Sequence, residues 1–330
     1  MNTALIDVRV HATKEEARGI RSFDLRPVGG GELPAFAAGA HIDLHLPNGL
    51  VRNYSLVNPQ GERHRYVIAV SLDANSKGGS RYLHENDLTG EVLEISAPRN
   101  NFPLAEDAAP KILIAGGIGI TPLYAMIQRM VETGQVWMLF YGARSRECAA
   151  FREEIEALEA AKPGRVRFNF DDEAGSILDV VSIAARAPLE AHLYCCGPAP
   201  MLESFNMVTA NRMPDMVHVE YFTAPTGGAG SGAEGEAGDL PGTFTLEIAG
   251  TGRSFEVKQG ESILGVLMEN GIYAASSCQE GCCGTCIVQV LEGVPHHKDF
   301  ILSERERAAN QLMTICVSGS KTKKLVIDLD

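Results

Sequence analysis

The sequence predicts a multidomain protein of 330 residues: an antiparallel β-barrel, then an α/β domain with a parallel sheet, then a small α+β unit of the β-grasp kind. Three observations predict it. Roughly the first hundred residues read as short strands separated by turn residues. From Lys111 onward apolar strands alternate with amphipathic stretches. A Gly-, Ala- and acid-rich stretch then sets off a compact C-terminal segment, where four cysteines crowd into "SSCQEGCCGTC" (Ser276–Cys286).

In order along the chain, "ALIDVRV", "IRSFDLR", "HIDLHLP", "VRNYSLV", "YVIAVSL" and "GEVLEIS" show alternation or β-branched enrichment. Six such strands at this spacing fit a closed barrel, with one helix near "GGSRYLHEN" interrupting them. Next, "KILIAGG", "VWMLFYGA", "RVRFNF", "AHLYCCG" and "MVHVEYF" alternate with "FREEIEALEAA" and "SILDVVSIAARA". That rhythm implies a parallel sheet with helices on both faces. "TAPTGGAGSGAEGEAGDLPG" carries almost no large apolar side chain and reads as a flexible linker. In the last segment "TFTLEIAG" and "RSFEVKQG" form a hairpin, "SILGVLMENG" a capped helix ending at Gly271, and "CIVQVLEG" and "KKLVIDL" further strands. The expected boundaries are 1–106, 107–224, a linker at 225–241, and 242–330.

A formal net charge of −13 argues against nucleic acid or an anionic membrane as partner. The N-terminal "MNTALIDVRV" lacks a basic stretch followed by an apolar one, and glycines and Pro122 interrupt the longest apolar run. A cytoplasmic monomer is expected. Eight cysteines, half of them in one short loop, do not form a disulfide framework; in a reducing compartment such a cluster binds metal or does redox chemistry.

Cys278, Cys283 and Cys286 give C-x4-C-x2-C, with Cys316 downstream. This is the plant-type [2Fe–2S] spacing, in which four thiolates hold two irons. Structural zinc prefers paired short knuckles, and only Cys283/Cys286 resembles one. His296 and His297 do not sit at the offsets of a Rieske centre. Cys282 adds no spacing rule and reads as a non-ligand. Gly281 and Gly284 let the loop wrap closely and turn N–H groups toward sulfur, and Ser276 and Ser277 are further donors. With "MTICVS" around the fourth cysteine, the segment resembles a plant-type ferredoxin.

"ILIAGGIGITPL" places Gly116, Gly117 and Gly119 between a strand and a helix opened by Thr121 and Pro122, whose N–H groups favour an anion such as a diphosphate. It is not G-x-G-x-x-G, since Pro122 stands where the third glycine would. "YCCGPAPML" ends the fourth α/β strand and lies at the same sheet edge. Together the two motifs resemble the paired GGxGxTP and CGPxxM signatures of the ferredoxin–NAD(P)⁺ reductase superfamily. That resemblance implies that Gly116, Gly117, Gly119, Thr121 and Pro122 face diphosphate and nicotinamide, and that Cys196, Gly197 and Pro198 line the nicotinamide. A packing cysteine is the other reading of Cys196; Cys195 reads as core and Cys148 as inert. "YGARSRE" has no acid for a ribose 2′-hydroxyl, and Arg144 and Arg146 could contact a 2′-phosphate.

A nicotinamide gives two electrons as hydride and a [2Fe–2S] cluster takes one, so a flavin should stand between them. "VRNYSLV" matches the superfamily's RxYS flavin motif: Arg52 toward phosphate, Tyr54 on the ring, Ser55 near the reactive N5. In "SKGGSRYLHE", Gly78, Gly79 and Ser80 open a helix and would bind a terminal phosphate, with Lys77 or Arg81 adding charge. A phosphate there suits FMN better than FAD. Phe222, in "VEYF", resembles the family's aromatic over the flavin ring, and a core aromatic is its other reading.

With "PRNNF" (Pro98–Phe102) closing the barrel, the whole chain resembles reductases of the phthalate dioxygenase reductase type, which vanillate O-demethylase reductases share. The resemblance implies NADH, FMN and a [2Fe–2S] cluster in one electron path to a terminal Rieske oxygenase. It also implies Ser55, Thr121, Cys196 and Phe222 at the reacting centre, and Cys278, Cys283, Cys286 and Cys316 on the cluster. Two rivals stand beside it. Reductases of di-iron monooxygenases usually carry the ferredoxin first, and a non-catalytic sensor would not need a nicotinamide seat.

Overall fold

The computed structural model describes residues 5–74, 76–224 and 242–329, so the expected linker at 225–241 lies outside the described residues. The chain forms two compact units, one ending at Glu220 and the other starting at Tyr221. The first contains two sheets.

The first sheet holds β1 (Ile6–Ala17), β2 (Ile20–Pro27), β3 (His41–His45), β4 (Val51–Ser55), β5 (Tyr66–Ser71) and β6 (Val92–Ile95), with α1 (Gly79–Glu85) between the last two. Their order is β4-β3-β6-β1-β2-β5, all antiparallel. The two outer strands meet just past β4, where Leu56 bridges Ile68 and Val57 N–H donates to Val67 O at 2.9 Å. The sheet thus closes on itself around Val8, Phe23, Leu25, Ile42, Leu44 and Ile68, all essentially inaccessible. Alternation explains the pattern: in β1 Val8 and Val10 point inward while Asp7, Arg9 and His11 do not. "PRNNF" seals one end. Arg99 pairs with buried Asp43 at 2.7 Å, and a Cβ on Gly39 would lie 2.0 Å from the Phe102 carbonyl.

The second sheet is parallel, with β7 (Lys111–Gly116), β8 (Trp137–Ala143), β9 (Val166–Phe170), β10 (His192–Cys196) and β11 (Val217–Glu220) in the order β11-β10-β7-β8-β9. The chain starts at β7, runs outward to β9, and returns to β10 on the other side. The switch point therefore lies between β7 and β10, where an open α/β sheet binds its ligand. The connecting helices are α2 (Ile120–Thr133), α3 (Arg152–Ala161), α4 (Asp171–Ala174), α5 (Val180–Arg186) and α6 (Ala199–Thr209). The amphipathic "SILDVVSIAARA" begins its helix only at Val180, because Asp179 caps it by accepting from Ser182 N–H. Barrel and parallel sheet are joined by Gln128 of α2, which donates to Val57 O at 2.7 Å, and by Phe102 against Tyr194.

In the second unit β12 (Thr243–Ile248), β13 (Arg253–Lys258), α7 (Ile263–Glu269), β14 (Ile287–Glu292), β15 (Pro295–His296), α8 (Glu304–Ala309), β16 (Leu312–Thr314), β17 (Gly319–Ser320) and β18 (Lys324–Asp328) follow in sequence. The main sheet runs β13-β12-β18-β14-β16, mixed because β12 and β18 are parallel. Ser262 caps α7, Gly271 takes φ 69° after it, and Ile263, Leu264 and Leu267 bury its inner face. Tyr221–Ala224 belong here: Tyr221 packs on Phe300 and Ala224 N–H donates to Glu280 Oε2 at 3.1 Å. The unit boundary thus falls four residues before the end expected for the α/β domain.

Candidate functional site

At the switch point the two glycine-bearing turns are pressed together. A Cβ on Gly119 would lie 2.1 Å from the Cys196 carbonyl oxygen, and one on Gly116 2.6 Å from Met201 Sδ and 2.7 Å from Pro198 Cδ. A Cβ on Gly197 would meet Met201 Sδ at 2.7 Å. These three glycines are required where the turns touch. Gly117 differs: it takes φ 54° with nothing within 4 Å of its Cβ position. It faces open space, where a diphosphate could approach its backbone. At the start of α2 the Ile120 N–H already donates to the Gly117 and Ile118 carbonyls and Pro122 has none, so of these three only the Thr121 N–H is left to an anion. The Thr121 side chain is buried, and its hydroxyl donates to Ile118 O at 2.9 Å. It holds the turn rather than standing free.

Cys196 is fully buried, level in the ladder with Glu220 of β11. Burial pushes both its thiol and that of Cys195 up, so neither is a ready nucleophile. Burial also raises the Glu220 carboxyl to about 8, and Glu220 Oε2 is buried without a partner. Sequence reasoning missed Glu220, although its place at the end of a parallel strand was a usable signal.

In the barrel, Arg52 and the Lys77–Ser80 loop come together. The Arg52 guanidinium donates to Lys77 O at 3.2 Å, and a Cβ on Gly79 would lie 2.7 Å from Arg52 Cγ. Gly78 takes φ 98°, and its N–H donates to Ser76 Oγ at 3.1 Å. Ser80 Oγ meets Ser76 Oγ at 3.0 Å, so Ser76 organises the loop, a role the sequence did not signal. Lys77 and Arg81 are exposed. Tyr54 is half-buried beside them, and Ser55 Oγ is buried without a partner. Arg52 against a glycine turn fits a flavin phosphate, and the orphaned Ser55 hydroxyl at the end of the same strand fits a partner on the ring.

The cysteine sulfurs fall into two close pairs. Cys286 Sγ lies 3.1 Å from Cys316 Sγ, and Cys278 shares a thiol hydrogen bond with Cys283. In each pair one thiol is drawn toward thiolate by its neighbour: Cys278 is lowered to about 7, and Cys286 is lowered likewise. Among the described residues no three His, Cys, Asp or Glu side chains gather to hold a single ion. Two sulfur pairs fit the four-thiolate donor set that a two-iron cluster needs. Glu280 N–H donates to Cys278 Sγ at 3.4 Å, and Gly281 N–H acts on the Cys316 sulfur. Ser277 Oγ is buried without a partner, as a donor reserved for a cluster would be. Gly281 and Gly284 both take φ 75°. Behind the loop, buried Asp299 accepts from Leu302 N–H at 2.8 Å and lies 3.1 Å (Cα) from a Cβ on Gly281. Cys282 donates to Glu280 O at 3.4 Å and joins neither pair.

Comparison with known proteins gives these sites a family. The model of the 2Fe-2S iron-sulfur cluster binding domain matches residues 246–320, and that of the oxidoreductase NAD-binding domain matches residues 113–206. The vanillate O-demethylase oxidoreductase of Pseudomonas putida is 42% identical, over 98% of this chain and 100% of that one. The tetrachlorobenzoquinone reductase of Sphingobium chlorophenolicum is 46% identical, over 98% of each. A solved phthalate dioxygenase reductase, a modular structure for electron transfer from pyridine nucleotides to [2Fe–2S], superposes with a TM-score of 0.69 at 34% identity, over 99% of this chain and 98% of that one. The chain belongs to the phthalate dioxygenase reductase and vanillate O-demethylase reductase family.

This family member is an NAD(P)H-dependent flavin and iron–sulfur oxidoreductase, with the three-sheet architecture of phthalate dioxygenase reductase. Of the four residues expected at its reacting centre, Ser55, Cys196 and Thr121 lie in one compact unit, at the barrel cradle, the nucleotide edge and the first turn of α2. Phe222 lies beyond the end of β11, in the unit that holds the cluster loop, and is 39% exposed. No helix among the described residues of this reductase is long and apolar enough to cross a membrane.

Proposed function

We propose that this chain is the reductase component of a two-component Rieske-type oxygenase, taking hydride from NADH and passing electrons through FMN and a [2Fe–2S] cluster to the terminal oxygenase. The observation that carries the reading is the cysteine loop: two close sulfur pairs, in a chain whose other unit brings two nucleotide turns together at a switch point. When bound, the flavin supplies the change from two-electron to one-electron transfer, and the cluster carries single electrons.

The chain's own residues position and exclude. Arg52, Lys77 and the turn Gly78–Ser80 hold the flavin phosphate, which favours FMN, while Tyr54 and Ser55 meet the ring. Gly116 and Gly119 keep the nucleotide turn tight, and the open backbone at Gly117 with the start of α2 at Thr121 and Pro122 receives the diphosphate. Thr121 fixes that turn. Cys196, Gly197 and Pro198 form the nicotinamide floor, and Phe222 answers in sequence to the aromatic that the family resemblance assigns to the flavin. No side chain has to carry a proton in hydride transfer, so catalysis is placement. Cys278, Cys283, Cys286 and Cys316 would hold the cluster through their thiolates. The domains are then the barrel at 1–106, the NAD domain from 107 to 220, and the ferredoxin at 242–330 with Tyr221–Ala224 packed into its unit.

The test is an anaerobic titration with NADH followed by the visible spectrum. Bleaching of both flavin and iron–sulfur absorption, with reduction of an added phthalate- or vanillate-type oxygenase, supports the reading. Flavin bleaching with an oxidised cluster would sink it. Tetrachlorobenzoquinone, named by one relative, is the second acceptor to assay. Its reduction by a protein stripped of its cluster would mark a flavin-level quinone reductase instead.

A further inference from the structure

The end of β8 is where a doubly wound sheet meets the adenosine ribose of a dinucleotide, and an arginine there accommodates a 2′-phosphate. Arg146 occupies that place, but it is already engaged. Its Nε and Nη2 grip Glu173 of α4 at 2.5 and 3.0 Å. Its Nη1 lies 3.9 Å from Glu156, and its guanidinium stacks 4.7 Å above the Phe170 ring. Asp172 N–H donates to Arg144 O at 3.2 Å, tying the ends of β8 and β9 together. A cavity of about 300 Å³ opens beside the pair, lined by Arg146, Phe168, Asn169, Phe170, Glu173 and Ala174.

The geometry points to Glu173 as a specificity-determining residue: by occupying the fork of Arg146, it makes this ribose site accept a 2′-hydroxyl and refuse a 2′-phosphate. The inference rests on the nucleotide reading above. A phosphate at this site would have to compete for a guanidinium held by a bidentate carboxylate, the geometry arginine favours most. It would also bring close to two negative charges beside Asp171, Asp172 and Glu173. A 2′-hydroxyl needs only one hydrogen bond, and Glu173 can accept it.

The experiment compares wild type, Glu173→Gln and the double variant Arg146→Gln/Glu173→Gln. One readout is calorimetric binding of 2′,5′-ADP and 5′-AMP, which needs no redox chemistry. The other is the ratio of kcat/KM for flavin reduction by NADPH and NADH. Wild type should favour the ligands without a 2′-phosphate. Glu173→Gln should raise the relative affinity and rate for the 2′-phosphorylated ligand by about tenfold, the effect of one freed charge-assisted contact. The double variant should lose that gain. A wild type that prefers 2′,5′-ADP, or a Glu173→Gln protein with an unchanged ratio, overturns the inference. Failure of wild type to bind either ligand, or to reduce flavin with either nucleotide, would overturn the nucleotide reading itself.

Discussion

Cys286 Sγ and Cys316 Sγ lie 3.1 Å apart although thirty residues separate them in sequence. The β14–β16 ladder causes this. Its register sets Ile287 opposite Thr314, and Ile315 N–H donates to Cys286 O at 3.1 Å, so each cysteine leaves the ladder at the same end.

Cys316→Ser should therefore empty the cluster while leaving the barrel and nucleotide turns intact. Metal analysis should find iron falling from two atoms per chain to almost none. Flavin content and bleaching by NADH should persist, and electron delivery to an oxygenase should stop. Normal delivery by this variant would show that Cys316 is not a ligand.

Gly119→Ala tests the contact between the two nucleotide turns. The added methyl would stand 2.1 Å from the Cys196 carbonyl oxygen, with backbone on both sides of the clash. The turns must separate, at a cost of about 1–3 kcal/mol as in other overpacked cores. Urea denaturation should show that loss, and KM for NADH should rise. Gly117→Ala is the control for the stability loss alone. It meets no atom, so its cost is confined to the left-handed backbone, about 1–2 kcal/mol.

Much of this was legible in the sequence because each element carried its own period. The six barrel strands and five parallel strands were marked by alternation and by apolar runs such as "KILIAGG". The nucleotide turns and cysteine loop were marked by spacing. What escaped notice depended on contacts between distant residues. α8 is short and polar, and only its Ser303–Glu306 capping box announced it. Asp43 and Arg99, Asp299 and Arg307, and Arg146 and Glu173 are pairs whose members lie on different elements, so no local pattern links them. The family resemblance accounts for Gly116 and Gly119 by the cofactor they would face, but their missing side chains make room for the neighbouring turn, which no spacing shows. Spacing reveals which residues are special; the packing partner supplies the reason.

Asp107 and Lys111 give a prediction about the segment that joins barrel to parallel sheet. The Lys111 ammonium is fully buried, donating to Asp107 Oδ1 at 2.7 Å and to the carbonyls of Asp107 and Ala109. The other Asp107 oxygen meets His192 Nε2 at 2.8 Å, and His192 Nδ1 meets His218 Nε2 at 3.0 Å. Lys111 and His192 beside it hold the Asp107 carboxyl well below the usual range. Asp107→Ala leaves a buried ammonium on two carbonyls. Because Asp107 is itself half exposed, the loss should fall toward the lower end of the ~3–5 kcal/mol typical of a broken buried pair. Lys111→Met with Asp107→Ala should recover part of it, since the pair's desolvation is then removed. Denaturation midpoints of the three proteins decide the matter.

Glu220 should give the reductase a stability that falls as pH rises through neutrality. Burial raises its folded pKa to about 8, against 4.5 for the ordinary carboxyl. Below pH 4.5 both folded and unfolded chains hold the proton, and the contribution is fully present. Between 4.5 and about 8 the unfolded chain has released it and the folded chain has not, so each rise of one pH unit removes up to about 1.4 kcal/mol. Above about 8 the contribution is gone. His218 acts in the opposite direction: burial lowers it from 6.5 to about 4, so its contribution is present above 6.5 and is lost as pH falls toward 4. The two effects are separated by Glu220→Gln, which keeps the shape and cannot ionise. Subtracting the variant's urea-unfolding free energy from that of wild type at each pH cancels His218 and every other shared group. The difference should decline steadily from pH 5 to pH 8. A flat difference would mean that Glu220 is ionised in the folded protein, and hence that water or a partner reaches the carboxylate beside Cys196.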